Sequence, residues 1–137
     1  MKVKIKKLNE NAVIPRYMRE DDAAMDLTAT SITHKDGFIE YGTGIAIELP
    51  EGHTGLVLPR GGISKKDLFL SNSVAVFDVG YTGEWVVRFR KLGDNIYEVG
   101  DRIAQLIIIP YPKIEFEEAE ELSDSERKDG AFGSSGN

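Results

Sequence analysis

The chain has 137 residues, 41% hydrophobic and 29% charged, with a formal net charge of −6. That length suits one domain rather than two, and a monomer of this size buries only about two-thirds of its unfolded surface, so the expected core is modest. The absence of cysteine excludes disulfides, thiolate nucleophiles and cysteine-type zinc sites, and two histidines, His34 and His53, make a poor histidine metal site.

The charge is unevenly placed. Seven of the 23 acids lie between Lys113 and Glu126 against one of the 17 bases, so the rest of the chain is neutral. A neutral body with an acidic segment is a poor non-specific binder of nucleic acid, although a small anion can still bind at a local basic site. No apolar run approaches the roughly 20 residues of a membrane span, and the opening Met1-Lys-Val-Lys-Ile-Lys-Lys lacks the apolar stretch of a signal peptide. The expected location is the cytoplasm, or the host cytoplasm if a phage encodes the chain.

In chain order, Val3 and Ile5 alternate with lysines in a first strand. Thr43 to Leu49 reads as a half-buried strand ended by Pro50-Glu-Gly. Thr54 to Leu58 and Ser73 to Phe77 follow. Trp85 to Arg90 alternates again, and Arg102 to Ile109 is apolar and β-branched, as a central strand should be. Turn signals recur at Asp36-Gly, Glu51-Gly, Gly80 with Gly83, Leu92-Gly-Asp-Asn and Val99-Gly-Asp. Short strands between such turns predict an all-β sandwich or barrel. The one helical signal, Gly62 to Leu68, predicts a turn or two.

Five segments carry more chemistry than scaffold requires. Asp26 sits among apolar residues in Ala24-Met-Asp-Leu-Thr-Ala29, where it is either a turn cap or a carboxylate needing a cationic partner. In Leu58-Pro-Arg-Gly-Gly-Ile-Ser64 a strand ends on Arg60. The N–H groups of Gly61 and Gly62 can then form an anion site, or simply a strand–turn–helix junction. Asn72 to Glu84 reads as strand, tight hairpin, strand, with Asp78 beside the turn and Tyr81 facing outward. In Gly100-Asp-Arg-Ile-Ala-Gln-Leu106, Arg102 and Gln105 are an odd number of positions apart, which predicts opposite strand faces. Finally, Asp129-Gly-Ala-Phe-Gly-Ser-Ser-Gly136 has the composition of a floppy terminus, but holds a lone Phe132 five residues after Arg127.

Taken in order, these five segments resemble the five motifs of the trimeric dUTPases (deoxyuridine triphosphate nucleotidohydrolases) and cover the chain from Ala24 to Gly136. The hairpin looks like that family's Asp-x-Asp/Gly-Tyr-x-Gly motif. The last segment looks like its Arg-Gly-x-Gly-Gly-Phe-Gly-Ser-Thr-Gly arm. The resemblance implies a distorted antiparallel β jelly roll that forms a homotrimer, with residues 1–116 as the barrel domain and 117–137 as an arm closing over an active site. It implies hydrolysis of dUTP to dUMP and pyrophosphate with Mg²⁺, which removes dUTP and supplies dUMP for dTTP synthesis.

Residue by residue, the resemblance implies that Asp78 deprotonates the water attacking the α-phosphorus, with Asn72 near uracil and water. Tyr81 would pack on the deoxyribose, and backbone atoms of Val76, Phe77 and Val79 would read the uracil edge. Arg60, Gly61, Gly62 and Gln105 would hold the triphosphate, with Mg²⁺ carried by phosphates and water and no direct protein ligand. Asp26 would support the site, near the metal's water shell or Arg60. Arg127 would grip the terminal phosphates, Phe132 would stack over uracil, and Gly133 and Ser134 would add phosphate contacts. The chain departs from the pattern at Gly61, where the family usually has Ser, and at Ala24, Ala75, Lys128 and Ala131, where it usually has Gly.

Overall fold

The computed structural model describes residues 1–136; Asn137, the last residue of the expected arm, lies outside the described residues. Among the described residues ten strands form: β1 Lys4–Lys7, β2 Met25–Thr28, β3 Ser31–His34, β4 Phe38–Gly42, β5 Ile45–Glu48, β6 His53–Pro59, β7 Leu68–Leu70, β8 Ala75–Phe77, β9 Val86–Lys91 and β10 Arg102–Pro110. A single 3-10 turn, Gly61–Lys65, lies between β6 and β7. Every strand pairing is antiparallel. One four-stranded sheet has the order β2-β10-β6-β8, a second has β3-β4-β9-β7, and β1 pairs with β5. This is a distorted antiparallel jelly roll.

Alternation explains which face is buried. Val57, Ala75, Ala104 and Leu106 of the first sheet, and Ile39, Tyr41, Val87 and Phe89 of the second, join one hydrophobic cluster. Each Val, Leu, Ile or Phe among them contributes about 1.5–3 kcal/mol when fully buried. Tyr41 and Phe89 meet edge-to-face at 5.6 Å. The Tyr41 hydroxyl donates to the Tyr97 carbonyl at 2.9 Å, which satisfies its polar end in the core. Among the described residues, no helix is long and apolar enough to cross a membrane.

Four features differ from the sequence reading. The strands β2, β3, β4 and β7 were not expected. β3 is largely polar (Ser31, Thr33, His34) with only Ile32 half-buried, so its alternation is faint. β7 spans three residues within and beyond the stretch read as helical, and buries Leu68 and Leu70. The expected strand from Ser73 begins instead at Ala75, because Ser73 has φ +59° and donates its N–H to Leu70 in a turn. The expected hairpin from Asn72 to Glu84 is not one. β8 pairs with β6 in the first sheet while β9 pairs with β4 and β7 in the second, so residues 78–85 cross between sheets.

The fourth difference concerns Arg102 and Gln105. The pairing of β10 with β2 shifts between Arg102 and Ala104, a bulge that inserts one residue and resets the alternation. Both side chains therefore come to the same cavity rather than to opposite faces.

Burial pushes the Tyr41 hydroxyl up from its ordinary value near 10 to about 12. The native state thus keeps this proton at pH values where the unfolded chain releases it. Stability should be complete below pH 10 and should fall as pH rises from 10 towards 12. Thermal unfolding across that range should show the loss in the native chain and a shallower slope in Tyr41→Phe.

Candidate functional site

The first group of polar residues is organised by a bulge, a strand end and a short strand. Asp26 in β2 stands opposite Gln105 in β10. Arg60 follows the last residue of β6, and Arg102 opens β10. The Asp26 carboxylate accepts from Arg60 Nε at 2.8 Å through one oxygen and from an Arg102 guanidinium N–H at 3.2 Å through the other. Its side chain is 18% exposed, so the carboxylate is held where an unpaired charge would be costly. Arg60 also donates to the Arg102 carbonyl at 3.4 Å. One carboxylate thus fixes two guanidiniums, and their remaining N–H donors are available to an anion.

Around this pair lies a cavity of about 480 Å³ lined by Asp26, Arg60, Gly61, Arg102 and Gln105, among others. The Gln105 side-chain amide donates to the Pro59 carbonyl at 2.8 Å, holding the turn that presents Arg60. Gly61 and Gly62 begin the 3-10 turn and are exposed. Their N–H groups precede its first bond, from Ile63 N–H to the Arg60 carbonyl, as the first donors of a helical turn do. A Cβ added at Gly61 would meet nothing within 4 Å.

A second group sits at the other side of the first sheet, on the crossing after β8. Asp78 is exposed, and among the described residues its carboxylate forms no hydrogen bond or ion pair. Its carbonyl accepts from Tyr81 N–H at 3.2 Å, closing a turn that Gly80 enters with φ +95°. The Tyr81 hydroxyl donates to the Glu84 carbonyl at 2.6 Å, and its ring meets Phe77 at 5.7 Å. The Phe77 carbonyl accepts from the Thr54 hydroxyl at 2.8 Å. Asn72, Val76 and Phe77 line a cavity of about 300 Å³ beside this crossing. Val79 is exposed on the same crossing.

The third group is the C-terminal stretch. The last main-chain bond to the body is Tyr111 N–H to the Gly52 carbonyl, 2.9 Å. Beyond it, among the described residues, there is no strand or helix. Hydrogen bonds from Ser125 to Gly136 are all local, including Arg127 Nε to the Gly130 carbonyl at 2.7 Å and Ser134 N–H to the Ala131 carbonyl at 3.1 Å. Phe132 is fully exposed. Of the positions where glycine is usual in the family it resembles, only Lys128 is left-handed, with φ +48°; Ala24, Ala75 and Ala131 are not.

Within one chain, Asp26, Arg60, Gly61, Arg102 and Gln105 come together; Asn72, Val76 and Phe77 line a second cavity, with Asp78 and Tyr81 on the crossing that follows Phe77; and Arg127, Phe132, Gly133 and Ser134 lie apart on the tail. No residue lines both cavities. Sequence reasoning did not single out Arg102 as a partner of Asp26, because the bulge that turns it leaves no mark in the residue pattern. It also missed Glu84, whose carboxylate accepts from Gly44 N–H at 2.8 Å and secures the end of the crossing.

The fold and these groups define an all-β protein with two guanidiniums held by one carboxylate and a crossing that bears the exposed carboxylate of Asp78. The dUTPase family profile matches residues 10–136. The chain is 41% identical over 142 residues to a deoxyuridine 5′-triphosphate nucleotidohydrolase of Hydrogenobaculum sp. (strain Y04AAS1), covering 99% of each chain. It is 43% identical over 142 residues to that of Rickettsia massiliae, covering 98% of this chain and 96% of the relative. It is also similar to a structure of the Staphylococcus bacteriophage 80alpha dUTPase with dUpNHpp, with a TM-score of 0.83 and 27% identity over 99% of both chains. The chain belongs to the dUTPase family.

The two-arginine hold on Asp26 has a measurable stability consequence. Asp26→Asn removes the charge that both guanidiniums share in a partly buried place, and should cost about 1–3 kcal/mol. Urea unfolding should show a lower midpoint for the variant; an unchanged midpoint would mean that the two contacts add nothing net.

Proposed function

We propose that the protein is a dUTP diphosphatase, hydrolysing dUTP to dUMP and pyrophosphate. The observation that carries this reading is the family match over residues 10–136, which spans every site-bearing segment from Asp26 to Ser134. A water oxygen attacks the α-phosphorus, the bond from that phosphorus to the bridging oxygen breaks, and pyrophosphate leaves. The water's proton passes to Asp78, whose exposed and unpaired carboxylate is free to take it.

The remaining residues bind and orient. Main-chain groups of Val76, Phe77 and Val79 read the uracil edge, and a base with the wrong donor pattern leaves buried polar groups unpaired. Asn72 lies near the uracil and the water. Tyr81, its hydroxyl already committed to Glu84, presents the ring rather than the hydroxyl to the deoxyribose. Arg60 offers the guanidinium N–H groups not used on Asp26, beside the N–H groups of Gly61 and Gly62. Gln105 contributes the amide atoms left over from its bond to Pro59. Arg127, Phe132, Gly133 and Ser134 belong to an arm, residues 117–137, that closes on the bound nucleotide and excludes water.

Mg²⁺ fits this donor set as an ion borne by the triphosphate. Among the described residues no three His, Asp or Glu side chains converge to cage a metal, and both Asp26 oxygens accept from arginines. When bound, the ion would neutralise phosphate charge.

A trimer completes the site. Asp78 does not line the cavity of the Arg60 centre, so in this reading one ligand reaches both where loops of different copies meet. The outward face of the first sheet carries exposed Val76 and Ile109, apolar surface that a neighbouring copy would cover.

Pyrophosphate release measured on dUTP, dTTP, dCTP and UTP tests the reading. Release should be confined to dUTP, and Asp78→Asn should lower it by about 10²–10⁴-fold, the usual worth of a general base. Sedimentation should give a particle of three 15.2 kDa chains. No release from dUTP with Mg²⁺ present would overturn the assignment.

The open space at Gly61 generates a further expectation. Serine fits there without a clash. A hydroxyl on the phosphate chain would add a hydrogen bond to a charged group, worth about 1.5 kcal/mol or tenfold in rate. Gly61→Ser should therefore raise kcat by up to about tenfold, and an unchanged kcat would place the hydroxyl out of reach of the reacting phosphate.

A further inference from the structure

The single tryptophan lies outside the groups described above, yet it touches the loop that carries Asp78. Trp85 is completely buried and stacks on Phe77, with ring centroids 3.8 Å apart and planes 8° from parallel. Phe77 immediately precedes Asp78, and its ring also meets the Tyr81 ring, tilted by 60° at 5.7 Å. The indole also lies against the backbone of β6. A Cβ at Gly55 would collide with Cη2 of the ring and stand 3.2 and 3.3 Å from Cζ3 and Cζ2. Gly55 is the register partner of Phe77, so the ring has a backbone floor on one side and an aromatic wall on the other.

The main chain of Trp85 is tied to the segment that leads from β4 into β5. Its N–H donates to the Ile45 carbonyl at 2.9 Å, and its carbonyl accepts from the buried Thr43 hydroxyl at 2.5 Å. The crossing is therefore clamped at its β8 end through Phe77 and at its β9 end through Trp85, and the two clamps are in van der Waals contact. Asp78 and Tyr81 lie between them.

Stability alone does not call for an indole here. Among the described residues Trp85 Nε1 is buried without a hydrogen-bond partner, which costs about 1–3 kcal/mol. A phenyl ring would stack on Phe77 without that penalty, though with a smaller face. We infer that Trp85 is a positioning residue: through Phe77 it sets where Asp78 meets the attacking water and where the Tyr81 ring meets the sugar. This rests on the dUTP hydrolysis proposed above. Misplacing a catalytic group by about 1 Å can cost about 10²-fold in rate, so the stack is a sensitive point although it touches no substrate.

The experiment uses the full chain and two variants, Trp85→Phe and Phe77→Leu, with kcat and KM for dUTP, kcat/KM for UTP, and thermal midpoints. In both variants kcat should fall by about 10–100-fold with KM within about threefold. The preference for dUTP over UTP should fall by about tenfold as the Tyr81 ring loses its setting. Trp85→Phe should lose less than Phe77→Leu, because it keeps an aromatic stack. A merely structural role would lower the midpoint and leave kcat per folded enzyme and the sugar preference unchanged; that result, or a loss confined to KM, overturns the inference. Should one variant fail to fold, the other decides alone. A wild-type chain that releases no pyrophosphate from dUTP would instead overturn the functional reading itself.

Discussion

The contact between the Trp85 indole and the bare backbone of Gly55 is the constraint on which the site side of the molecule is built. A jelly roll must pass its chain from one sheet to the other, and such crossings are ordinarily loops whose position is weakly determined. Here the crossing starts at Phe77 in the first sheet and ends at Trp85, bonded to Ile45 and Thr43 before β9 enters the second. Only a residue without Cβ lets the indole lie this close to β6. The interior side chain thereby does two things: it fills the core between sheets and limits the conformations open to residues 78–84.

The anion centre follows a different logic. Arg60 and Arg102 are two like charges brought together at the mouth of one cavity, an arrangement that repels itself unless something intervenes. Asp26 supplies the intervening charge, and the bulge in β10 supplies the geometry, since without it Arg102 would point away. Their shared carboxylate leaves the centre with a net positive charge and donors already oriented. In the proposed reading, a phosphate would meet preformed hydrogen-bond donors rather than side chains that must be collected from solution.

Much of this was legible in the residue pattern, and the illegible parts share a cause. The alternation at Val86–Lys91 announces a strand with one side in the core, and the apolar runs at Ile45–Glu48 and Arg102–Pro110 announce strands largely buried. Ser31–His34 has little buried surface, so its pairing with β4 is dictated by the neighbouring strand and turn rather than by its own residues. Alternation also does not say which sheet a strand joins, and for that reason residues 72–84 read as a hairpin when the chain in fact changes sheets. The closeness of Asp26 to Arg60, 34 positions apart, was one of two open readings. The closeness of Asp26 to Arg102 depends on a one-residue bulge that no side-chain period records.

The distribution of charge closes the physical picture of the arm. The acidic stretch from Glu115 to Glu126 separates a neutral body from the Arg127–Ser134 segment, so it opposes rather than assists the approach of a polyanion along the chain. At physiological salt that field decays over about 8 Å, which leaves capture to contact rather than to long-range steering. The arm is partly shaped for contact. Lys128 and Phe132 adopt left-handed backbone at a cost of about 1–2 kcal/mol each. Local bonds from Arg127 to Gly130 and from Ser134 to Ala131 offset some of it. With Arg127 Nε bonded to Gly130, the outer edge of its guanidinium is the part that would meet phosphate in the proposed reading, and the exposed Phe132 projects an aromatic face clear of the chain. If the segment closes over a nucleotide as proposed, its local turns already exist, so less backbone entropy is lost than in ordering it from a coil.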